Sequence, residues 1–472
     1  MNEKELALTP AIKLRDLIQS KEISPVEITK IYLDRIDKFD GPLNSYITVT
    51  ADSALESAKF AEDQLMKGND LGLLHGIPIS IKDTQMTKGV KTTSGTLIYK
   101  DRIAEADATI VDKVKKAGAI ILGKTNTPEL GLVGTCINKL GDQGRNPWDI
   151  TRTPGGSSGG AAAAVAAGLC SMATGSDGGG SIRIPSNFCG IFGIKPTQGR
   201  VSAYNGSMSK SHNMFSQNGP LTRTVEDSAL LLNVMAGPDE KDPITYMLPP
   251  IDFKTILSKD VRGLKIAWSP DYGFASVEPE VLDVNYRAAL HLETLGCTVE
   301  EPKLNLYPPY DKYGAIITSD FYNSYGQYLD SHREDMTDFC RFFIERGSQV
   351  TTKEYAETLG YIDALKGKMA QFFQSYDLLV SPTACFPAFT DINLEDNFTD
   401  ESDFPLHYFN GAFTMQGNLI GYPAASIPVG FTSNGLPVGL HVIAPKHKEE
   451  LILSLALKFQ ETKPWIKSYL SI

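Results

Sequence analysis

The chain has 472 residues, 42% hydrophobic and 21% charged, with 45 Lys and Arg against 56 Asp and Glu for a formal charge of −11. This acidic, globular composition contains no long basic block, which excludes a nucleic-acid binder built on charge. No run approaches the roughly 18 uninterrupted apolar residues of a membrane span, and the charged start MNEKELALTPAIKL lacks a leader's apolar core, so a soluble cytoplasmic protein without membrane association is expected.

Ile12, Leu14, Leu17 and Ile18 predict a short first helix. Ser24-Pro25-Val26-Glu27 then forms a capping signal with proline at the first helical position, continued by Ile28, Ile31, Tyr32 and Ile36. A third helix is expected over Ala51 to Met66, closed by Gly68, so that about 1–68 forms a helical opening outside the core. Ile77, Ile79 and Ile81 alternate as a strand does, placing Pro78, Ser80 and Lys82 on the other face.

Gly118 to Thr125 matches the phosphate-loop pattern G-x-x-x-x-G-K-[ST], but its context is wrong. A phosphate loop follows a strand and opens a helix. Here Ala119-Ile120-Ile121-Leu122 reads as a buried strand, and the helix (Asp107 to Ala117) comes before the glycine. Nucleotide binding is therefore not expected. The six cysteines, Cys136, Cys170, Cys189, Cys297, Cys340 and Cys385, form no CxxC pair and read as reduced.

The stretch Arg152 to Ser186 carries the chemistry. Gly155-Gly156-Ser157-Ser158-Gly159-Gly160 and Gly178-Gly179-Gly180-Ser181 flank the small-residue run Ala161 to Ala167. Glycine at this density lets backbone approach closely or adopt positive φ. The alanine run suits a helix buried on all sides, its N-terminal N–H groups free at the glycine-serine turn. Apolar residues follow at once (Ile182, Ile184, Phe188, Ile191), which separates the stretch from a flexible linker. Two serines beside free backbone donors outline nucleophilic acyl chemistry.

GGSSGG followed by DGGGSIRIPS resembles the amidase signature family, serine hydrolases of amides and esters. The strand Gly76-Ile77-Pro78-Ile79-Ser80-Ile81-Lys82-Asp83 resembles that family's lysine segment, and the two serines stand 181 − 157 = 24 apart, as in the family. The likeness runs from about Leu6 to Lys458 and is densest over 72–237; it includes Gly219 to Asp227, and Asn418 to Pro423 with Gly435 to Leu440, taken as a late hairpin. The resemblance implies one α/β domain, 1–472, with helices around a large mixed sheet. It implies Ser181 as nucleophile, Ser157 after a cis peptide as relay, and Lys82 as ultimate base.

On chemical grounds, Lys82 must be neutral, which burial favours. The N–H groups of Gly178, Gly179, Gly180 and Ser181 would face the oxyanion. Asp177, Arg183 and Ser158 are read as support. No cofactor, no metal and no histidine is required. Many relatives carry a branched residue where Gly178 stands, so the pocket there is expected to differ.

The segment 302–410 matches the family loosely and is rich in aromatics: Tyr310, Tyr313, Phe321, Tyr322, Tyr325, Tyr328, Phe339, Phe342 and Phe343. It is expected to shape the substrate pocket and to favour small neutral amides with an apolar or aromatic acyl group. The alternative is the glutaminase subunit of an aminoacyl-tRNA amidotransferase, which shares the catalytic residues. The expected partner is a small-molecule amide, with no nucleic acid, and a homodimer stays open.

Overall fold

The computed structural model describes all residues except 1, 207–213, 246–251, 253–256, 258, 391–410, 467–468 and 470–472. The end of the aromatic segment, 391–410, thus lies outside the described residues.

The apolar runs assemble into one mixed sheet of eleven strands among the described residues. In chain order these are β1 (Tyr46–Val49), β2 (Pro78–Lys82), β3 (Ile120–Thr125), β4 (Met172–Asp177), β5 (Phe192–Lys195), β6 (Gln217–Thr222), β7 (Lys265–Trp268), β8 (Thr298–Glu300), β9 (Leu378–Pro382), β10 (Ala424–Phe431) and β11 (Pro437–Ile443). Across the sheet they run β1-β3-β2-β4-β6-β5-β10-β11-β9-β7-β8. β2 lies parallel to both β3 and β4, with Ile81 opposite Thr174. The carboxyl ends of these neighbours therefore open onto one rim, where parallel α/β sheets place their ligands.

The predicted helices form over Ala11–Gln19, Pro25–Leu43 and Ala51–Met66, and Ser24 caps the second through its side chain. A further helix, Glu3–Leu8, precedes them, capped reciprocally by Asn2 and Glu5. The opening is not wholly helical, because β1 lies within it and forms the sheet's edge beside β3. Its four residues, Tyr46-Ile47-Thr48-Val49, are too few to show a period. β2 is buried on both faces, so its polar residues do not face solvent. The late hairpin is β10 with β11, and Asn418 to Ile420 instead close a helix, Thr414–Ile420. The phosphate-loop match is β3, preceded by the helix Thr109–Lys116.

The alanine-rich helix, Gly159–Ala166, is buried along its whole length and packs on β2, β3 and β4. Its small side chains let the sheet approach closely. A Cβ at Gly160 would collide with the backbone N of Asn126 and the carbonyl of Ser45, which cannot swing away. Gly160→Ala is expected to destabilise the protein by about 1–3 kcal/mol, the usual cost of overpacking. A thermal melt against the unsubstituted chain checks this, and an unchanged Tm would contradict it.

Candidate active site

Three elements converge at the rim: the end of β2, the turn before the alanine-rich helix, and the end of β4 with the glycine loop after it. Lys82, the last residue of β2, is fully buried. Its Nζ lies 2.6 Å from Ser157 Oγ, 3.0 Å from Ser158 Oγ and 3.1 Å from Ser176 Oγ. The Gly156–Ser157 peptide bond is cis. Burial lowers the Lys82 pKa to about 7, although Asp177 pulls in the opposite direction. A substantial neutral fraction at neutral pH follows.

The three hydroxyls are not equivalent. Ser158 Oγ donates to the Ser176 carbonyl at 3.2 Å, so toward Lys82 it serves as acceptor. The Ser157 hydroxyl has no such prior commitment among the described residues and sits closest to the amine. When Nζ is neutral, the Ser157 O–H can turn to donate into its lone pair.

Two other buried lysines, Lys124 and Lys195, also sit at about 7 through burial. Lys124 donates to Thr87 Oγ1 at 2.9 Å and to the Gln85 carbonyl. Lys195 donates to the Pro196 carbonyl at 3.0 Å. Neither contacts a serine hydroxyl. Geometry, rather than pKa, singles out Lys82.

Ser181 is half-buried beside Ser157 on the wall of a cavity of about 790 Å³. Its carbonyl accepts from the Ser158 N–H at 3.1 Å, which ties the two serine turns together. No hydrogen bond joins the Ser157 and Ser181 hydroxyls, a contact that in many resting sites tightens only with substrate.

The glycine loop hangs on Asp177. The Asp177 carboxylate accepts from the N–H of Gly180 at 2.7 Å and of Ile182 at 3.2 Å, and from Arg183 Nε and Nη2 at 2.9 Å each. Burial alone would raise its pKa, but the Arg183 guanidinium and the amide of Asn418 hold it well below the usual carboxylate range. Arg183 is fully buried and also reaches the Thr414 carbonyl at 2.8 Å, Asn418 Oδ1 at 2.6 Å and His441 Nε2 at 2.9 Å. Burial and the adjacent Arg183 push the His441 pKa well down, so the ring is neutral and accepts from the guanidinium.

This anchoring separates the loop's donors into two sets. The Gly180 N–H, expected to face the oxyanion, is committed to Asp177. The N–H groups of Gly178, Gly179 and Ser181 have no partner among the described residues. Gly180 has φ +134°, and a Cβ there would strike Thr414 Oγ1. A Cβ at Gly179 would come within 2.9 Å of the Tyr313 hydroxyl, so this glycine opens the loop to the aromatic segment.

Sequence reasoning missed Ser176 as a neighbour of Lys82, and missed Thr414, Asn418 and His441 behind Arg183. Ser176 is one residue before Asp177, and strand alternation alone points it away from Asp177. The other three come from distant parts of the chain, beyond any local spacing. Of the predicted aromatics, Tyr313, Phe321, Tyr325 and Tyr328 line the cavity, whereas Phe339 and Phe343 lie in the core. Among the described residues, no cluster of His, Cys, Asp and Glu suits a metal, and no helix is long and apolar enough to cross a membrane.

Comparison with known proteins shows the family. The family described as Amidase matches residues 27–453. An acylamidase of Rhodococcus erythropolis is 35% identical over 471 residues, covering 98% of both chains. The A subunit of the glutamyl-tRNA(Gln) amidotransferase of Moorella thermoacetica is 38% identical over 483 residues, covering 97% of both. The crystal structure of a bacterial aryl acylamidase superposes with a TM-score of 0.89 at 30% identity, covering 98% of this chain and 97% of that one. The chain therefore belongs to the amidase signature family and is an amide-hydrolysing enzyme.

Proposed function

We propose that this chain is a free-standing hydrolase of linear carboxylic amides, with Ser181 as nucleophile and Ser157 and neutral Lys82 as proton relay. The observation that carries the reading is the 2.6 Å contact of a buried, near-neutral lysine with Ser157, on the cavity that Ser181 shares.

In the acylation step, Ser181 Oγ attacks the carbonyl carbon. Its proton passes to Ser157 Oγ as the Ser157 proton passes to Lys82 Nζ. The unpartnered N–H groups of Gly178, Gly179 and Ser181 receive the oxyanion. The C–N bond then breaks, and the proton returns along the same path to the leaving nitrogen. Water replaces the amine in the second half, and the relay runs again to release the acid. Asp177 and Arg183 hold the glycine loop in place.

The cavity wall favours the acylamidase reading over the amidotransferase one. A glutamine site must pair the substrate's α-carboxylate with a cation, since an unpaired buried charge is costly. Arg333 pairs with Glu345, Arg341 with Asp338 and Arg346 with Glu354, and none of the three lines the cavity; of the described cations that do, Arg102 is held by the Thr92 carbonyl and Ser94 Oγ, and Lys241 lies over the Tyr204 ring. Tyr313, Phe321, Tyr325 and Tyr328 instead offer a surface for an apolar or aromatic group, at about 25 cal/mol per Å² buried. The isolated chain is expected to release amine from an aryl or alkyl amide faster than ammonia from glutamine. Faster turnover of glutamine, or activity only with added partner subunits, would move the assignment to the amidotransferase.

A further inference from the structure

The cavity contains a carboxylate that the proposed mechanism does not use. Asp320 lies on the helix Tyr310–Tyr325, seven residues beyond Tyr313, and both line the cavity with Ile317 between them. Tyr313 sits beside Gly179 at the catalytic loop, so Asp320 is two turns further along the same helix, about 10 Å on the axis.

Its surroundings are unusual for a carboxylate. Asp320 Oδ2 is buried with no hydrogen-bond partner, and no Lys or Arg among the described residues pairs with Asp320. The other carboxylate on this wall, Asp242, is satisfied by the N–H groups of Ala203 at 2.7 Å and Ile244 at 2.9 Å. The two cations that line the cavity among the described residues are also engaged elsewhere. Arg102 donates to the Thr92 carbonyl and Ser94 Oγ, at 2.8 Å each, and stacks over Tyr99 at 4.1 Å. Lys241 lies over the Tyr204 ring at 5.2 Å. Burial alone lifts the Asp320 pKa to about 6, so the group is mostly ionised at neutral pH. Asp320 is part-buried on the cavity wall, and with no cationic partner among the described residues its charge is open to one that a ligand brings.

We infer that Asp320 is a specificity residue that receives an ammonium group carried by the substrate at the far end of an apolar body from the scissile amide. This rests on the amide-hydrolase reading and refines its substrate class: the sequence pointed to neutral amides, and the cavity wall adds a terminal primary amine. Tyr313, Ile317 and Phe321 would line the apolar spacer, and the Asp320 carboxylate would accept from the ammonium N–H groups.

Calorimetric binding to the Ser181→Ala protein tests the subsite without turnover, using n-alkylammonium ions and n-alkanols of matched length. The expected result is an ammonium preference of at least about tenfold at the best chain length, lost in Ser181→Ala/Asp320→Asn and largely kept in Ser181→Ala/Asp320→Glu. With Ser181 intact, the kcat/KM ratio of amino-terminated to methyl-terminated anilides should fall by a similar factor in Asp320→Asn. Equal binding of ammonium and alcohol, or a preference that survives Asp320→Asn, overturns the assignment. If ammonium binding depends on Asp320 but no amide is hydrolysed, the subsite stands and the hydrolase reading fails. If neutral amides turn over and Asp320→Asn changes no ratio, the hydrolase reading stands and the subsite fails.

Discussion

Lys82→Met is expected to lower kcat/KM by about ten-thousand-fold or more, and Ser181→Ala by a comparable factor, while both proteins stay folded. The proposed relay would act as a unit, so losing either end would forfeit most of what the whole supplies. Ser157→Ala should be nearly as severe, because Ser157 is the hydroxyl nearest the amine on the cavity wall, at 2.6 Å. Ser158→Ala should cost far less: its hydroxyl already donates to the Ser176 carbonyl and has no proton to pass on. Initial rates on one aryl amide, with a thermal melt of each variant, give the ranking. A folded Ser181→Ala protein with near-normal activity would remove Ser181 from the mechanism.

The pH profile should have an acid limb and no histidine in it. Burial holds the Lys82 pKa near 7, and only the neutral amine can accept the Ser157 proton. As pH falls through 7 the amine becomes an ammonium ion, so kcat/KM should fall with unit slope, by about tenfold between pH 8 and pH 6, and level off above. His441 cannot supply this limb, since burial and Arg183 push its pKa well below the usual imidazole value and it contacts Arg183, not a relay serine. Cysteine cannot either: the cavity-lining residues include none of the six thiols. A profile flat from pH 5.5 to 8 would contradict a lysine base.

Much of this site could be read before any fold was in hand, for a physical reason. The proposed catalytic positions sit where local sequence is most constrained: a fully buried strand end, a turn of four glycines, and a helix of small residues that only close packing explains. The same density of glycine flagged Gly178 to Ser181 as a loop of free donors. The commitment of Gly180 to Asp177 was not legible, because which of four adjacent N–H groups points inward depends on backbone turns that composition does not encode. β1 was hidden by its brevity. The hairpin boundary was misplaced because Leu419-Ile420 is as apolar as the strand that follows. Asp320 gave no signal at all, since one acid among the polar residues of an aromatic helix looks like a solvated position. Its meaning came only from what does not surround it.

Two parts of the cavity's surroundings answer to different cores. Lys82, Ser157 and the glycine loop adjoin the sheet and the alanine helix, whose apolar residues, Ile79, Ile81, Met172 and Ala161 to Ala166 among them, form one cluster. Tyr313 and Ile317 belong to another cluster, with Phe343, Ile362, Leu365 and Met369. Substitutions in the second cluster away from Tyr313 and Met415, which abut Gly179, can therefore accumulate with little effect on the spacing of the first. A lineage carrying this architecture is free to explore new diets while its chemistry stays fixed, and a laboratory can do the same by randomising the inward positions of the helix Tyr310–Tyr325 and leaving the glycine turns untouched.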